Sequence, residues 1–209
     1  YLYTVDLELY DNKTLVDKRR TKFGFRSVEI KKMENGKGPF ILLNGKPLKF
    51  CGVNRHEFHS EYGHAVPEEL IKKDLELCLK YNITAIRTSH YPNSEVFYRL
   101  CDEMGILVMC ENNLETHGLA FLIPRNSRRW TEHCVYRVKN MIHSFKNHSC
   151  IVSWSLGNES GFGKAFYAMR EAALAIDDTR FIHYEPDTSG KVSDVLSEMY
   201  AKLEKMPLI

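Results

Sequence analysis

The sequence predicts an α/β fold: a partial (β/α)8 TIM barrel of about five βα units, preceded by the last strands of an immunoglobulin-like β-sandwich. Three observations carry this. Short apolar runs of strand length alternate with amphipathic helical stripes from about residue 48 onward. Polar residues gather just past successive strand ends: Asn54, Arg55 and His56; His90; Glu111 and Asn113; Asn158 and Glu159; Glu185. No GxGxxG or GxxxxGKS/T follows any strand, which weakens dinucleotide and P-loop readings. In a barrel such strand ends share one rim, where active sites are built.

The amino-terminal stretch is different. Tyr3, Val5, Leu7 and Leu9 alternate with Thr4, Asp6 and Glu8, the period of a half-buried strand. Asp11-Asn12-Lys13 makes a turn, Thr14-Leu15-Val16 resumes, and 23–30 reads as another short strand. These strands are too few for a core of their own. The expected division is therefore 1–30 as the end of a sandwich and 31–209 as the first part of a barrel. A whole barrel takes about 250 residues. The chain is thus expected to be a piece of a longer one that stops mid-barrel at Met206-Pro207-Leu208-Ile209. The lack of an initial Met agrees.

Within the barrel part, Phe40-Ile41-Leu42-Leu43, a turn at Asn44-Gly45 and Pro47 to Phe50 read as a hairpin. Leu48 to Val53 is a strand candidate. Pro67 suits a first helical position, ahead of the stripe Ile71, Leu75, Cys78 and Leu79. Residues 85–90 form a strand. Asn93 or Ser94 caps a helix with the stripe Val96, Phe97, Leu100, Cys101 and Met104, and Gly105 stops it. Residues 106–110 are a buried strand. A long loop follows, then a helix with Cys134, Val138, Met141, Ile142 and Phe145. Cys150 to Leu156 is a strand closed by Gly157. The last elements are a helix with Phe166, Met169, Ala173 and Ile176, a strand over 181–184, and a possible strand start at Asp194-Val195-Leu196.

Composition narrows the class. The 209 residues carry a net charge of +2 with acids and bases interspersed, so no nucleic-acid face is expected. No apolar run approaches the roughly 20 residues of a membrane span. The six cysteines form no CxxC pair and mostly sit among apolar neighbours. They read as reduced core thiols, hence a reducing, cytoplasmic setting.

The chemistry centres on Glu159. A carboxyl at a strand end, beside Asn158, can act as a general acid where burial raises its pKa, or can be a structural carboxylate bound to backbone amides. Gly157 and Gly161 let backbone turn sharply near a ligand. Glu115-Thr116-His117 places a carboxylate and an imidazole two residues apart, able to share an ion. His56-Glu57-Phe58-His59 is one residue short of HExxH and does not read as zinc. His56 and His90 read as ring donors on the rim or as satisfied structural histidines. Trp154 and Trp130 fill core or stack on a sugar, with core favoured for Trp154 because it lies inside the strand. Arg87, inside a strand, needs a carboxylate partner, with Glu185, Glu159 or a later strand as candidates.

Gly52 to Glu57, Asn82 through Arg87-Thr88-Ser89-His90-Tyr91-Pro92-Asn93, Glu115-Thr116-His117-Gly118, and Lys146 through Trp154-Ser155-Leu156-Gly157-Asn158-Glu159-Ser160-Gly161 occur in this order. Together they resemble the β-galactosidases of glycoside hydrolase family 2, over nearly the whole chain. The resemblance implies retaining hydrolysis of terminal β-D-galactosides such as lactose. Glu159 would be the acid/base, Asn158 would bind the sugar 2-hydroxyl, and His56 and His90 would line the sugar site. Arg87 would support the nucleophile. Glu115, His117 and Glu159 would hold Mg²⁺, with a monovalent cation such as Na⁺ possible elsewhere in the longer enzyme, which would be a homo-oligomer. The nucleophilic Glu belongs to a later strand, in a Cys-Glu-Tyr-like segment that this chain lacks, so the chain alone is expected to be inactive. The alternatives are a β-glucuronidase or β-mannosidase, and a non-catalytic piece active only on complementation.

Overall fold

The computed structural model describes residues 1–32 and 39–202; the expected end point at 206–209 lies outside them. The elements in order are β1 (Tyr3–Asp11), β2 (Thr14–Phe23), β3 (Val28–Lys32), β4 (Pro39–Leu43), β5 (Lys46–Pro47), β6 (Gly52–Arg55), α1 (Glu68–Lys80), β7 (Ala85–Thr88), α2 (Glu95–Met104), β8 (Leu107–Glu111), α3 (Arg128–Phe145), β9 (Ile151–Asn158), α4 (Lys164–Leu174) and β10 (Phe181–Glu185).

Five strands form one sheet in the order β10-β9-β8-β7-β6, every neighbouring pair parallel. A helix joins each consecutive pair, the βα repeat that the alternation of patterns predicts. Strand parity divides the side chains. Ile86, Val108, Cys110, Trp154, Ile182 and Tyr184 belong to one core with the helical stripes Ile71 and Leu75, Phe97 and Cys101, Val138 and Ile142, and Phe166 and Met169. The other parity carries Arg87, Met109, His183 and Glu185, which line a concave face holding a cavity of about 840 Å³. Burying each large apolar side chain stabilises by roughly 1.5–3 kcal/mol, so the helix-covered face holds the unit together.

Several expectations shift. The edge strand β6 begins at Gly52, so Asn54 and Arg55 lie inside it rather than beyond it. Pro67 stands one residue ahead of α1. Ser94 precedes α2, and Gly105 ends it in a left-handed conformation (φ 76°). No strand forms over 194–196. There the Asp194 carboxylate accepts from the amide of Ile182 (2.7 Å), the donor that a neighbouring strand would have used.

The strand read over 23–30 is broken. β2 ends at Phe23, and β3 pairs antiparallel with β4 in a three-stranded sheet completed by β5. β1 and β2 form an antiparallel ribbon whose residues are almost all exposed. Its alternation is real, but the apolar parity is not half-buried here: Leu7 is 58% and Leu9 61% exposed. All six cysteines are free, and Cys101, Cys110, Cys134 and Cys150 are buried. No helix among the described residues is long and apolar enough to cross a membrane.

Candidate active site

The site forms where the end of β9 meets the loop after β8. Gly157 (φ 146°) and Gly161 (φ 68°) make this contact possible. A Cβ on either would collide with backbone, the carbonyl of Leu114 in the first case and of Ala120 in the second. The glycines admit a neighbouring loop rather than a ligand. The Asn158 amide donates to Leu114 O (2.9 Å), and Glu115 bridges Asn158 in parallel register. Ser160 Oγ accepts from the Thr116 amide (2.8 Å). These bonds bring Glu115 and His117 alongside Asn158 and Glu159.

Glu115, His117 and Glu159 each offer one ligand atom, all within 4.8 Å of one another, the one such group among the described residues. His117 Nδ1 lies 2.6 Å from Glu159 Oε2. The backbone is left-handed at both His117 (φ 40°) and Glu159 (φ 38°), a conformation costing on the order of 1 kcal/mol or more for a residue with a Cβ. At Glu159 a bond from its amide to Glu185 O (3.1 Å) helps hold that turn. The Glu159 carboxylate is engaged by an imidazole on a neighbouring loop, not by backbone amides, and stays partly exposed. Two carboxylate oxygens and one imidazole fit a hard divalent cation such as Mg²⁺.

Asn158 is buried and oriented without ambiguity. Its Oδ1 accepts from Arg87 Nη2 (3.0 Å) and its Nδ2 donates to Glu115 Oε1 (2.8 Å). A flipped amide would oppose like polarity on both sides.

Arg87 faces inward as expected, but its partner is neither Glu185 nor Glu159. Its Nε donates to Glu111 Oε2 at 2.6 Å. The strand register explains this. Arg87 stands opposite Met109 on β8, so the next inward-facing side chain on that strand is Glu111.

His90 Nδ1 lies 2.6 Å from the other oxygen of Glu111. His56 sits edge-on to the His90 ring, with centroids 5.5 Å apart, and against Tyr91. His59 goes elsewhere, against Tyr62, and Glu57 is buried with Arg55 and the Ser94 amide, so these residues do not gather around an ion. Trp154 is core, its indole N–H donating to Asp177 (2.8 Å). Trp130 is partly exposed on α3.

The residues that sequence reasoning missed lie beneath the rim. Ser155 Oγ donates to Glu111 Oε2 (2.6 Å) and lies 2.9 Å from His183 Nδ1. His183 reaches Ser197 Oγ (2.9 Å), which in turn contacts Glu185. Burial, with a smaller contribution from the Arg87 charge, pushes the His183 imidazole down to about 4, so it is neutral at pH 7. Glu111 and Glu185 could be seen as rim carboxylates; that Ser155 and His183 join them had no signal beyond strand parity.

A family model described as glycosyl hydrolases family 2, TIM barrel domain, matches residues 33–209. The chain is 42% identical over 211 residues to a β-galactosidase of Psychromonas ingrahamii, covering 98% of this chain and 20% of that protein. It is 40% identical over 215 residues to a β-galactosidase large subunit of Lactobacillus acidophilus, covering 96% and 33%. Among solved structures it resembles a β-glucuronidase of Parabacteroides merdae, with a TM-score of 0.78 and 28% identity over 93% of this chain and 25% of that one. The β-glucuronidase of Ruminococcus gnavus in complex with D-glucuronic acid gives 0.74 and 28%, over 87% and 31%. The chain thus spans between a fifth and a third of the length of these relatives. The match over 33–209 and the parallel five-stranded sheet describe the same thing, and the chain belongs to glycosyl hydrolase family 2, within its TIM barrel domain.

Proposed function

We propose that this chain is part of a retaining glycosidase that cleaves terminal β-D-galactosides, with Glu159 as its acid/base. The observation that carries the reading is the Asn158–Glu159 pair at the end of β9, held against Glu115 and His117 by the close approach at Gly157 and Gly161. The identities of about 40% to proteins named β-galactosidase favour a galactoside. The structural likeness to β-glucuronidases, at 28% identity, supports a glucuronide as the second reading.

In the first half of the reaction Glu159 donates a proton to the glycosidic oxygen. In the second it takes one from the water that releases the sugar. Asn158, fixed between Arg87 and Glu115, would bind the sugar 2-hydroxyl. His56 and His90 form the wall on the β6–β7 side. Glu115, His117 and Glu159 would hold Mg²⁺, which when bound supplies positive charge beside the acid carboxylate.

Retention also needs a nucleophilic carboxyl roughly 5 Å from the acid. Glu111 is fully buried and bonded to three side chains, and Glu185 is buried against Ser197, so neither is free to attack an anomeric carbon. We therefore expect the isolated 209-residue chain to be inactive.

Aryl β-galactoside, β-glucuronide and β-mannoside offered to a full-length protein carrying this chain test the reading. It predicts galactoside cleavage with retention. Preference for the glucuronide would move the assignment to the second reading. Turnover by the 209-residue chain alone, lost on Glu159→Gln, would overturn the expected inactivity.

A further inference from the structure

Glu111 ends β8 with no exposed surface. A buried carboxylate costs several kcal/mol unless its lone pairs are met. In a structural role that need is commonly met by backbone amides, as at Asp187, which accepts from the amides of Ser189, Val192 and Ser193. Glu111 differs. Its carboxylate accepts from side chains, each at 2.6 Å: Arg87 Nε and Ser155 Oγ on one oxygen, His90 Nδ1 on the other. Two of those three belong to the sugar-facing rim.

We propose that Glu111 is the positioning residue of this site, holding Arg87 and His90 in the orientation that receives the sugar. The inference rests on the glycosidase reading above. An ionised carboxylate only accepts, so the hydrogen of a neutral His90 ring lies on Nδ1. That leaves Nε2 facing the site, 3.9 Å from Glu115 Oε1. Anchoring Arg87 through Nε fixes the plane of its guanidinium. Nη2 then reaches Asn158 Oδ1 (3.0 Å) and Nη1 points to Asn54 Oδ1 (3.4 Å). Through Arg87, Glu111 also sets the face that Asn158 presents. Ser155 supports the carboxylate from β9.

Glu111→Gln keeps the shape and breaks the logic. An amide has one oxygen, so its NH₂ must oppose either Arg87 Nε–H or His90 Nδ1–H. The ring then turns away or changes tautomer.

The test compares Glu111→Gln, His90→Ala and the double variant in a full-length protein carrying this chain, with an aryl β-galactoside as substrate and galactose as inhibitor. The expected loss in kcat/KM for Glu111→Gln is about 10–100-fold, with a smaller change in galactose affinity. The double variant should lose less than the product of the two single losses. Fully multiplicative losses in an active protein, or an unchanged kcat/KM, would overturn the inference alone. A wild-type protein inert toward galactosides, glucuronides and mannosides would remove the glycosidase reading and this inference with it. If Glu111→Gln does not fold, Ser155→Ala removes one bond and leaves the charge. It should lower kcat/KM by about 5-fold in the native background and by less in His90→Ala, where only the hold on Arg87 remains to be disturbed; an equal loss in both backgrounds would overturn the proposal.

Discussion

The two ends of the parallel sheet use the same residue types to opposite effect. At the amino-terminal ends of β9 and β10, Arg180 donates to Asp177 and to the carbonyls of Lys146, His148 and Ile151. Arg26 donates to the carbonyls of Ser149 and Ile151, and burial beside the Arg180 charge pushes it down to about 10. Asp177 also accepts from the Trp154 indole and from Thr179, and Asp102 takes the Cys150 amide and His148. Most of these bonds close on backbone.

At the carboxy-terminal ends Arg87, Glu111, His90, Asn158 and Glu115 bond to one another through side chains and keep partly exposed atoms on Arg87, His90 and Glu115. Bonds to backbone fix strand ends and give stability. Bonds among side chains fix the direction of groups that then face solvent. In a barrel this is the division between its stabilising and its active face.

The comparison breaks most sharply at Glu159. In a full-length protein, Glu159→Gln should cost about 10²–10⁴ in kcat/KM and leave the melting curve in place. Kinetics with an aryl β-galactoside, alongside calorimetry, decides it. Asp177→Ala should do the reverse. It removes the carboxylate that answers the buried Arg180 charge and leaves the Trp154 N–H without its acceptor, a loss of about 3–5 kcal/mol in urea unfolding with little change in the kcat of enzyme that remains folded.

The pH dependence tests the layer between the two ends. His183 is held at about 4, below the ordinary 6.5, because burial disfavours its charged form. Its contribution is complete above about pH 6.5 and is lost as pH falls through 4, when the unfolded chain binds a proton that the folded one resists. A drop of about 3 kcal/mol over that window is expected, and His183→Gln should flatten it. Denaturant midpoints at pH 7 and pH 4.5 give the answer. At Asp187 burial raises the carboxyl, but bonds from Ser189 Oγ and three backbone amides outweigh it and hold it at about 2. That contribution persists above about pH 4 and fades toward pH 2.

The smallest effect belongs to Gly161. An added methyl meets the Ala120 carbonyl at a backbone angle that favours glycine, so Gly161→Ala should push the 115–120 loop from the end of β9. About tenfold weaker Mg²⁺ or Mn²⁺ binding is expected by titration calorimetry. Unchanged affinity would separate the cluster from the metal role assigned to it.

Much of this was legible in order and not in partnership. Strand and helix periodicities located the βα units, and the strand-end positions picked out His90, Glu111, Asn158 and Glu159. Boundaries drifted at β6, an edge strand with one neighbour to define its length. They drifted again at 194–196, where a side-chain carboxylate does the work of a strand. The exposed β1–β2 ribbon kept its alternation without a partner face within the described residues. Arg87 was read correctly as a charge needing a carboxylate and was assigned the wrong ones, because strand register does not follow from local pattern.

The sequence by itself determined the alternation of elements, the rim on which Glu159 stands and the ExH triplet beside it. These depend on periodicity and local chemistry, which a linear string carries. Only the tertiary structure decided that Glu111 closes on Arg87, His90 and Ser155, and that Gly157 and Gly161 admit the loop bearing Glu115 and His117. Both depend on the distance between chain segments some 21 to 44 residues apart, which parallel register and close backbone contact set. Glu159 is a carboxylate at a strand end in the sequence. It joins His117 and Glu115 in one side-chain cluster when β9 and the loop after β8 meet.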